Sequence, residues 1–104
     1  MSDKIDELIK TSLGVMLYFS SKECGVCSVL KPKIDTMFEE NFPKIKKVYI
    51  KSEENLELCA KYSVFTMPTL LVFLEGREFI RKSRNISLVQ LQEELGRLYD
   101  LLDK

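Results

Sequence analysis

Residues 15–27 read VMLYFSSKECGVC. Val15 to Phe19 are five apolar residues with no polar break. Such a run predicts a strand covered on both faces and therefore interior to a sheet. Ser20 to Glu23 form a polar turn, and a helix is expected to begin at Cys24 or Gly25. Beyond it Leu30, Ile34, Met37 and Phe38 recur at helical spacing. Pro32 lies inside that pattern and removes one backbone donor, so a kink is expected there. Two cysteines thus fall where a buried strand turns into a helix.

On the N-terminal side, Ser2 can cap a short helix whose inner stripe is Ile5, Leu8 and Ile9, with Gly14 breaking it before the strand. On the C-terminal side, Pro43 closes the cysteine-bearing helix. Lys47 to Lys51 predict a second strand with Val48 and Ile50 on one face. Glu53 to Tyr62 predict a helix turning Leu56, Cys59 and Ala60 inward. Thr69 to Leu74 predict another buried strand, joined by the tight turn Glu75-Gly76 to a strand over Glu78 to Ser83. Ser87 with Gln90 makes a capping box for a last helix striped by Leu88, Leu91, Leu95, Leu98 and Leu102. The order is helix, strand, helix, strand, helix, strand, strand, helix, an α/β sheet ending in a hairpin.

Composition narrows the chemistry. The chain has 104 residues, 45% hydrophobic and 31% charged, and is expected to form a single domain over residues 1–104. Sixteen basic residues balance sixteen acidic ones, which argues against nucleic acid or an anionic membrane as partner. No histidine is present, which removes Ser-His and Cys-His catalysis and imidazole metal ligation. No apolar run exceeds five residues, and MSDKIDELIK has no signal-peptide core. Three cysteines, two of them close together, do not resemble a secreted disulfide framework. A cytoplasmic protein is expected.

Cys24-Gly25-Val26-Cys27 carries the chemistry. Two thiols at this spacing on a first helical turn can approach closely enough to form a disulfide. The first also meets the unpaired N–H groups and positive end of the helix, which favour its thiolate. The residues leave two alternatives open, half of a zinc site and two inert core cysteines. A structural zinc site wants four ligands, and only Cys59 remains in this chain. A carboxylate or a second subunit would have to complete it.

From about residue 12 to residue 102 the chain resembles the thioredoxin family. VMLYFSSKECGVC resembles the family's strand and active-site loop, and Pro32, five residues beyond Cys27, matches its helix-kinking proline. KYSVFTMPTLLVFLEG, residues 61–76, resembles the segment that contains the cis-proline. The resemblance implies a three-layer α/β/α fold with a central four-stranded mixed sheet flanked by four helices, without the family's extra first strand. It implies thiol–disulfide exchange in cell redox homeostasis, needing no cofactor beyond a redox-active Cys24–Cys27 disulfide. Cys24 would be the nucleophile and Cys27 the resolving thiol, with Glu23, Gly25 and Val26 completing the loop. Pro68 would be cis, presenting Met67 to an extended substrate. The implied partners are protein disulfides and a thioredoxin-reductase-like electron donor, and the chain is expected to be a monomer.

This sequence also departs from the family. Glu23 replaces a tryptophan, Val26 a proline, and Arg84 a glycine of the substrate groove. Tyr18 stands where a buried aspartate helps to deprotonate the second cysteine. A phenol of pKa about 10 is a poor base near neutrality, so resolution by Cys27 is expected to be slow. Glu23, about 6 Å from Cys24 in water, opposes the thiolate by roughly 0.7 kcal/mol. The helix end favours it by about 0.3–2 kcal/mol and Lys22 offsets part of the Glu23 effect. Cys24 is therefore expected to be more acidic than a free thiol of about 8.5. Thr66-Met67-Pro68 resembles the Thr-Val-Pro of glutaredoxins, but Ser83-Arg84-Asn85 replaces their paired glycines, so glutathione binding is not expected. The competing reading is a redox-inactive module holding a peptide in the groove near Pro68. Cys59 reads as a small buried hydrophobe. Arg77, Arg81, Lys82 and Arg84 read as charges that protect a terminal strand from pairing.

Overall fold

A computed structural model describes residues 2–102 and, of Ser2, the backbone alone. The elements are α1 (Ser2–Thr11), β1 (Gly14–Ser20), α2 (Gly25–Asn41), β2 (Ile45–Lys51), a 3-10 turn (Ser52–Glu54), α3 (Leu56–Lys61), β3 (Thr69–Leu74), β4 (Arg77–Ser83) and α4 (Leu88–Leu102). The Ser2 side chain, and with it the expected cap, lies outside the described residues. The sheet order is β2-β1-β3-β4, with β1 parallel to β2 and antiparallel to β3, and β3 antiparallel to β4. The two apolar runs thus become the inner strands, and the two charged strands become the edges. Water at the edges satisfies the outer backbone groups that an inner strand must pair.

Alternation along β1 and β3 divides the interior into two layers. Met16, Tyr18, Leu70, Val72 and Leu74 face α2 and α4, meeting Ile34, Met37 and Phe38 from one and Leu91, Leu95 and Tyr99 from the other. Val15, Leu17, Phe19, Leu71 and Phe73 face α1 and α3, meeting Ile5, Ile9, Leu58 and Cys59. Leu91 and Leu95 are both fully buried, a contribution of about 1.5–3 kcal/mol each. The Ser87 Oγ accepts a hydrogen bond from the Gln90 amide at 3.3 Å, which sets the start of α4. The result is the α/β/α arrangement with a four-stranded mixed sheet and four helices that the resemblance implies.

Several details differ from the sequence reading. β2 begins two residues early, because Ile45 and Phe42 are drawn into the α2–α4 layer. The helix expected over Glu53 to Tyr62 is broken at Asn55. There φ is −140°, the amide donates to the Ser52 carbonyl at 3.0 Å, and the side-chain amide donates to the Lys51 carbonyl at 2.9 Å. The restart resets the helical phase, so Leu58 and Cys59 turn inward while Leu56 and Ala60 are exposed. A register shift between Val72 and Phe73 places Ile80 inside and leaves Phe79 49% exposed. Gly14 is part of β1, not a helix terminator. A Cβ there would come 2.8 Å from Ile45 Cγ1 and 3.1 Å from Leu74 Cδ2, so the strands close over a hydrogen atom. Glu75 (φ 49°) and Gly76 (φ 84°) both adopt the left-handed backbone required by the tight β3–β4 turn.

Candidate active site

The end of β1 delivers the chain to the site. Phe19 pairs with Thr69 across the sheet, so the loop leaving β1 and the loop entering β3 lie at the same end. Ser21 turns the first of these by accepting the Cys24 amide at 3.2 Å. Cys24 is the N-cap of the 17-residue α2, with φ −88° and ψ 98°, and its side chain accepts no capping bond. Cys27 lies one turn on, its amide bonded to the Cys24 carbonyl at 3.2 Å. The two sulfurs form a disulfide with the Cα atoms 5.4 Å apart. Cys27 is buried and Cys24 is half-buried, while Glu23, Gly25 and Val26 are exposed. Pro32 lies within α2, and the Ser28 carbonyl that loses its donor belongs to an exposed residue, where water can replace it.

Beneath the disulfide, Tyr18 is fully buried and donates its hydroxyl to the Cys27 carbonyl at 3.1 Å. Burial raises the Tyr18 pKa above its ordinary value of 10, so the phenol stays neutral. Its ring meets Tyr49 edge-on at 6.2 Å. The Tyr49 hydroxyl donates to Asp35 at 2.5 Å, and Lys47 pairs with Asp35 at 3.0 Å. The Tyr49 hydrogen bond, followed by that of Lys47, holds the Asp35 carboxyl below the usual carboxylate range. Burial, then the Asp35 hydrogen bond, pushes the Tyr49 phenol up. The Lys31 ammonium lies 4.8 Å from the centre of the Tyr49 ring. Sequence reasoning missed this tyrosine–aspartate–lysine group, since it depends on the register between β2 and α2.

The second loop carries Met67 and Pro68. Their peptide bond is cis, Pro68 is buried and Met67 is half-buried. Thr69 Oγ1 donates to the Thr66 carbonyl at 2.6 Å, and buried Ser52 donates its hydroxyl to Met67 Sδ at 3.0 Å. The Arg84 amide donates to the Pro68 carbonyl at 2.9 Å, tying the β4–α4 loop to this segment. Between that loop and the start of α2 opens a cleft of about 330 Å³, lined by Val26, Leu30, Arg84, Asn85, Ile86 and Ser87. Cys59 is a buried free thiol on α3, in the layer opposite α2. Of the basic cluster, Arg81 pairs with Glu78 at 2.9 Å and Lys82 with Glu94 at 2.9 Å. Among the described residues no group of three Cys, Asp or Glu side chains gathers to hold a metal. None of the described helices is long and apolar enough to cross a membrane.

A buried-strand, cysteine-capped helix and proline-led strand at one end of a mixed sheet have close counterparts among known proteins. The thioredoxin family model matches residues 2–97. The thioredoxin-like protein YdfQ of Bacillus subtilis is 34% identical over 99 residues, 95% of this chain and 88% of that relative. The thioredoxin of the same organism is 40% identical over 68 residues, 64% of this chain and 65% of its own length. Among solved structures, thioredoxin from Fasciola hepatica superposes with a TM-score of 0.77 at 28% identity, over 91% of this chain and 88% of the other. With its cysteine pair bonded at the start of α2 and this kinship along nearly its whole length, the chain belongs to the thioredoxin family and is a thiol–disulfide oxidoreductase.

Proposed function

We propose that residues 1–104 act as one domain that reduces disulfides in other proteins, with Cys24 as attacking thiol and Cys27 as resolving thiol. The observation that carries the assignment of roles is the difference in exposure between the two bonded cysteines. Cys27 is 3% exposed and beyond the reach of a large partner, whereas half-buried Cys24 sits at the open helix end. In the reduced protein the Cys24 thiolate attacks one substrate sulfur. A mixed disulfide forms, the substrate disulfide breaks, and the departing substrate thiolate takes a proton from solvent. Cys27 then loses its proton to solvent and attacks Cys24 Sγ, which releases the second substrate thiolate. The substrate gains two electrons and two protons, and the Cys24–Cys27 disulfide holds the deficit. A thioredoxin-reductase-like dithiol donor restores it. Met67 and Pro68, at the same end of the sheet, receive the extended substrate chain.

This activity would serve redox homeostasis in the cytoplasm, with the protein acting as a monomer and needing no cofactor other than the cysteine pair. The test is a disulfide-reduction assay with wild type, Cys24→Ser and Cys27→Ser. Wild type should turn over, Cys24→Ser should be inactive, and Cys27→Ser should accumulate a covalent substrate adduct through Cys24. An adduct through Cys27 in Cys24→Ser, with none in Cys27→Ser, would reverse the roles. Peptide binding without turnover in all three proteins would support the redox-inactive module.

A further inference from the structure

The cleft beside the disulfide has a charge pattern that the exchange reaction does not use. Its α2 wall is Val26, 58% exposed between the two cysteines, with half-buried Leu30 one turn on. Half-buried Ile86 faces them from the β4–α4 loop. Among the described residues lining it, Arg84 alone is charged. Arg81 and Lys82 on the neighbouring strand are neutralised by Glu78 and Glu94, but the exposed Arg84 side chain makes no ion pair with any described residue.

The Arg84 backbone has φ 62°, a conformation that favours glycine and costs an arginine free energy. Its amide is committed to Pro68, so the loop offers a ligand this side chain in place of that backbone donor. A long cation held in a strained conformation, unpaired, beside an apolar cleft next to the reacting sulfurs is matched by a carboxylate on an incoming chain.

We propose that Arg84, with Val26, Leu30 and Ile86, forms a subsite selecting disulfides flanked by an apolar residue and, within one or two positions, an acidic one. The proposal rests on the disulfide-reductase reading and specifies its substrate class. The apolar side chain enters between Val26 and Ile86, and the carboxylate meets the guanidinium at the rim. Glu23, exposed next to Cys24 and not among the residues lining the cleft, repels a carboxylate placed beside it, so an acidic residue is favoured at Arg84.

The experiment compares kcat/KM for three disulfide peptides that share one apolar residue and differ only in an adjacent Glu, Gln or Lys. In wild type at low salt the Glu peptide should lead the Gln peptide by about two- to five-fold, the ratio an exposed ion pair sustains. The Lys peptide should trail, and the spread should narrow as salt shortens the screening length. Arg84→Lys should keep the order. Arg84→Gly, which suits the backbone, should bring the Glu/Gln ratio to about one, and Arg84→Glu should place Lys first. These ratios are taken within each protein, so a general loss of activity in a variant cancels. Turnover of all three peptides at equal rates in wild type, or an order unchanged in Arg84→Glu, overturns the subsite while leaving the reductase reading intact. Turnover of none, with no adduct in Cys27→Ser, overturns both.

Discussion

Replacing Tyr18 with Phe removes one oxygen from beneath the disulfide and separates two roles the phenol could have. As a structural donor it makes one buried hydrogen bond of 3.1 Å to the Cys27 carbonyl. That carbonyl is a helical one whose usual donor is the amide four residues on, so losing the phenol does not leave it orphaned. The cost should be about 0.5–1.5 kcal/mol. In a domain of this size each kcal/mol shifts Tm by roughly 4–8 °C. As a proton acceptor for Cys27, however, Tyr18 is poorly suited, because burial raises its pKa above 10 and its proton is committed to the carbonyl. A true general base contributes about 10²–10⁴-fold. Tyr18→Phe should therefore lower Tm by several degrees while resolution of the mixed disulfide changes by less than about threefold between pH 6 and 9. Stopped-flow decay of a preformed Cys24 adduct measures this step directly. A hundredfold fall, or loss of one limb of the pH profile, would refute the argument and make the phenol a proton carrier.

The missing acid group also predicts that resolution is slow in wild type, so the Cys24 adduct should be visible during turnover by quenched-flow mass spectrometry. Alkylation of the reduced protein should titrate with a midpoint below the free-thiol value of about 8.5, because Cys24 caps a 17-residue helix. A midpoint at or above that value would contradict the helix-end effect. Gly14→Ala should destabilise by roughly 1–3 kcal/mol, read as a lower urea midpoint, because its methyl would press on Ile45 and Leu74. Asp35 has a folded pKa below its unfolded value. Its contribution is thus complete above about pH 4 and lost as pH falls through the lower folded value. The acid limb of stability below pH 4 should be shallower in Asp35→Asn, as followed by circular dichroism.

How much could be read in advance depended on how local each determinant was. The apolar runs mark β3 to the residue and β1 to within one residue at each end, because unbroken apolar runs can hide nowhere except between two layers. The cysteine pair was equally legible, since four consecutive residues and a helix start define it. α3 was misphased because Asn55 is an ordinary helix residue until its side-chain amide finds the Lys51 carbonyl. The Tyr49–Asp35 bond and the Ser52–Met67 contact join residues 14 and 15 positions apart. Both follow from how β2 settles against its neighbours, which no local pattern encodes. The sequence marks Arg84 as a departure from the family, but its left-handed backbone and its place on a cleft exist only in three dimensions.

Among the described residues no strand lies beyond β2, so one flank of the sheet offers its amides and carbonyls to whatever drifts past. Lys46 stands exposed along it, Lys51 reaches Glu54 at 4.0 Å, and Lys47 is tethered to Asp35. Two molecules docking there side by side would have to bring these ammonium groups together in the narrow spacing that main-chain bonding enforces. Like charges so placed oppose the pairing of one such edge with another.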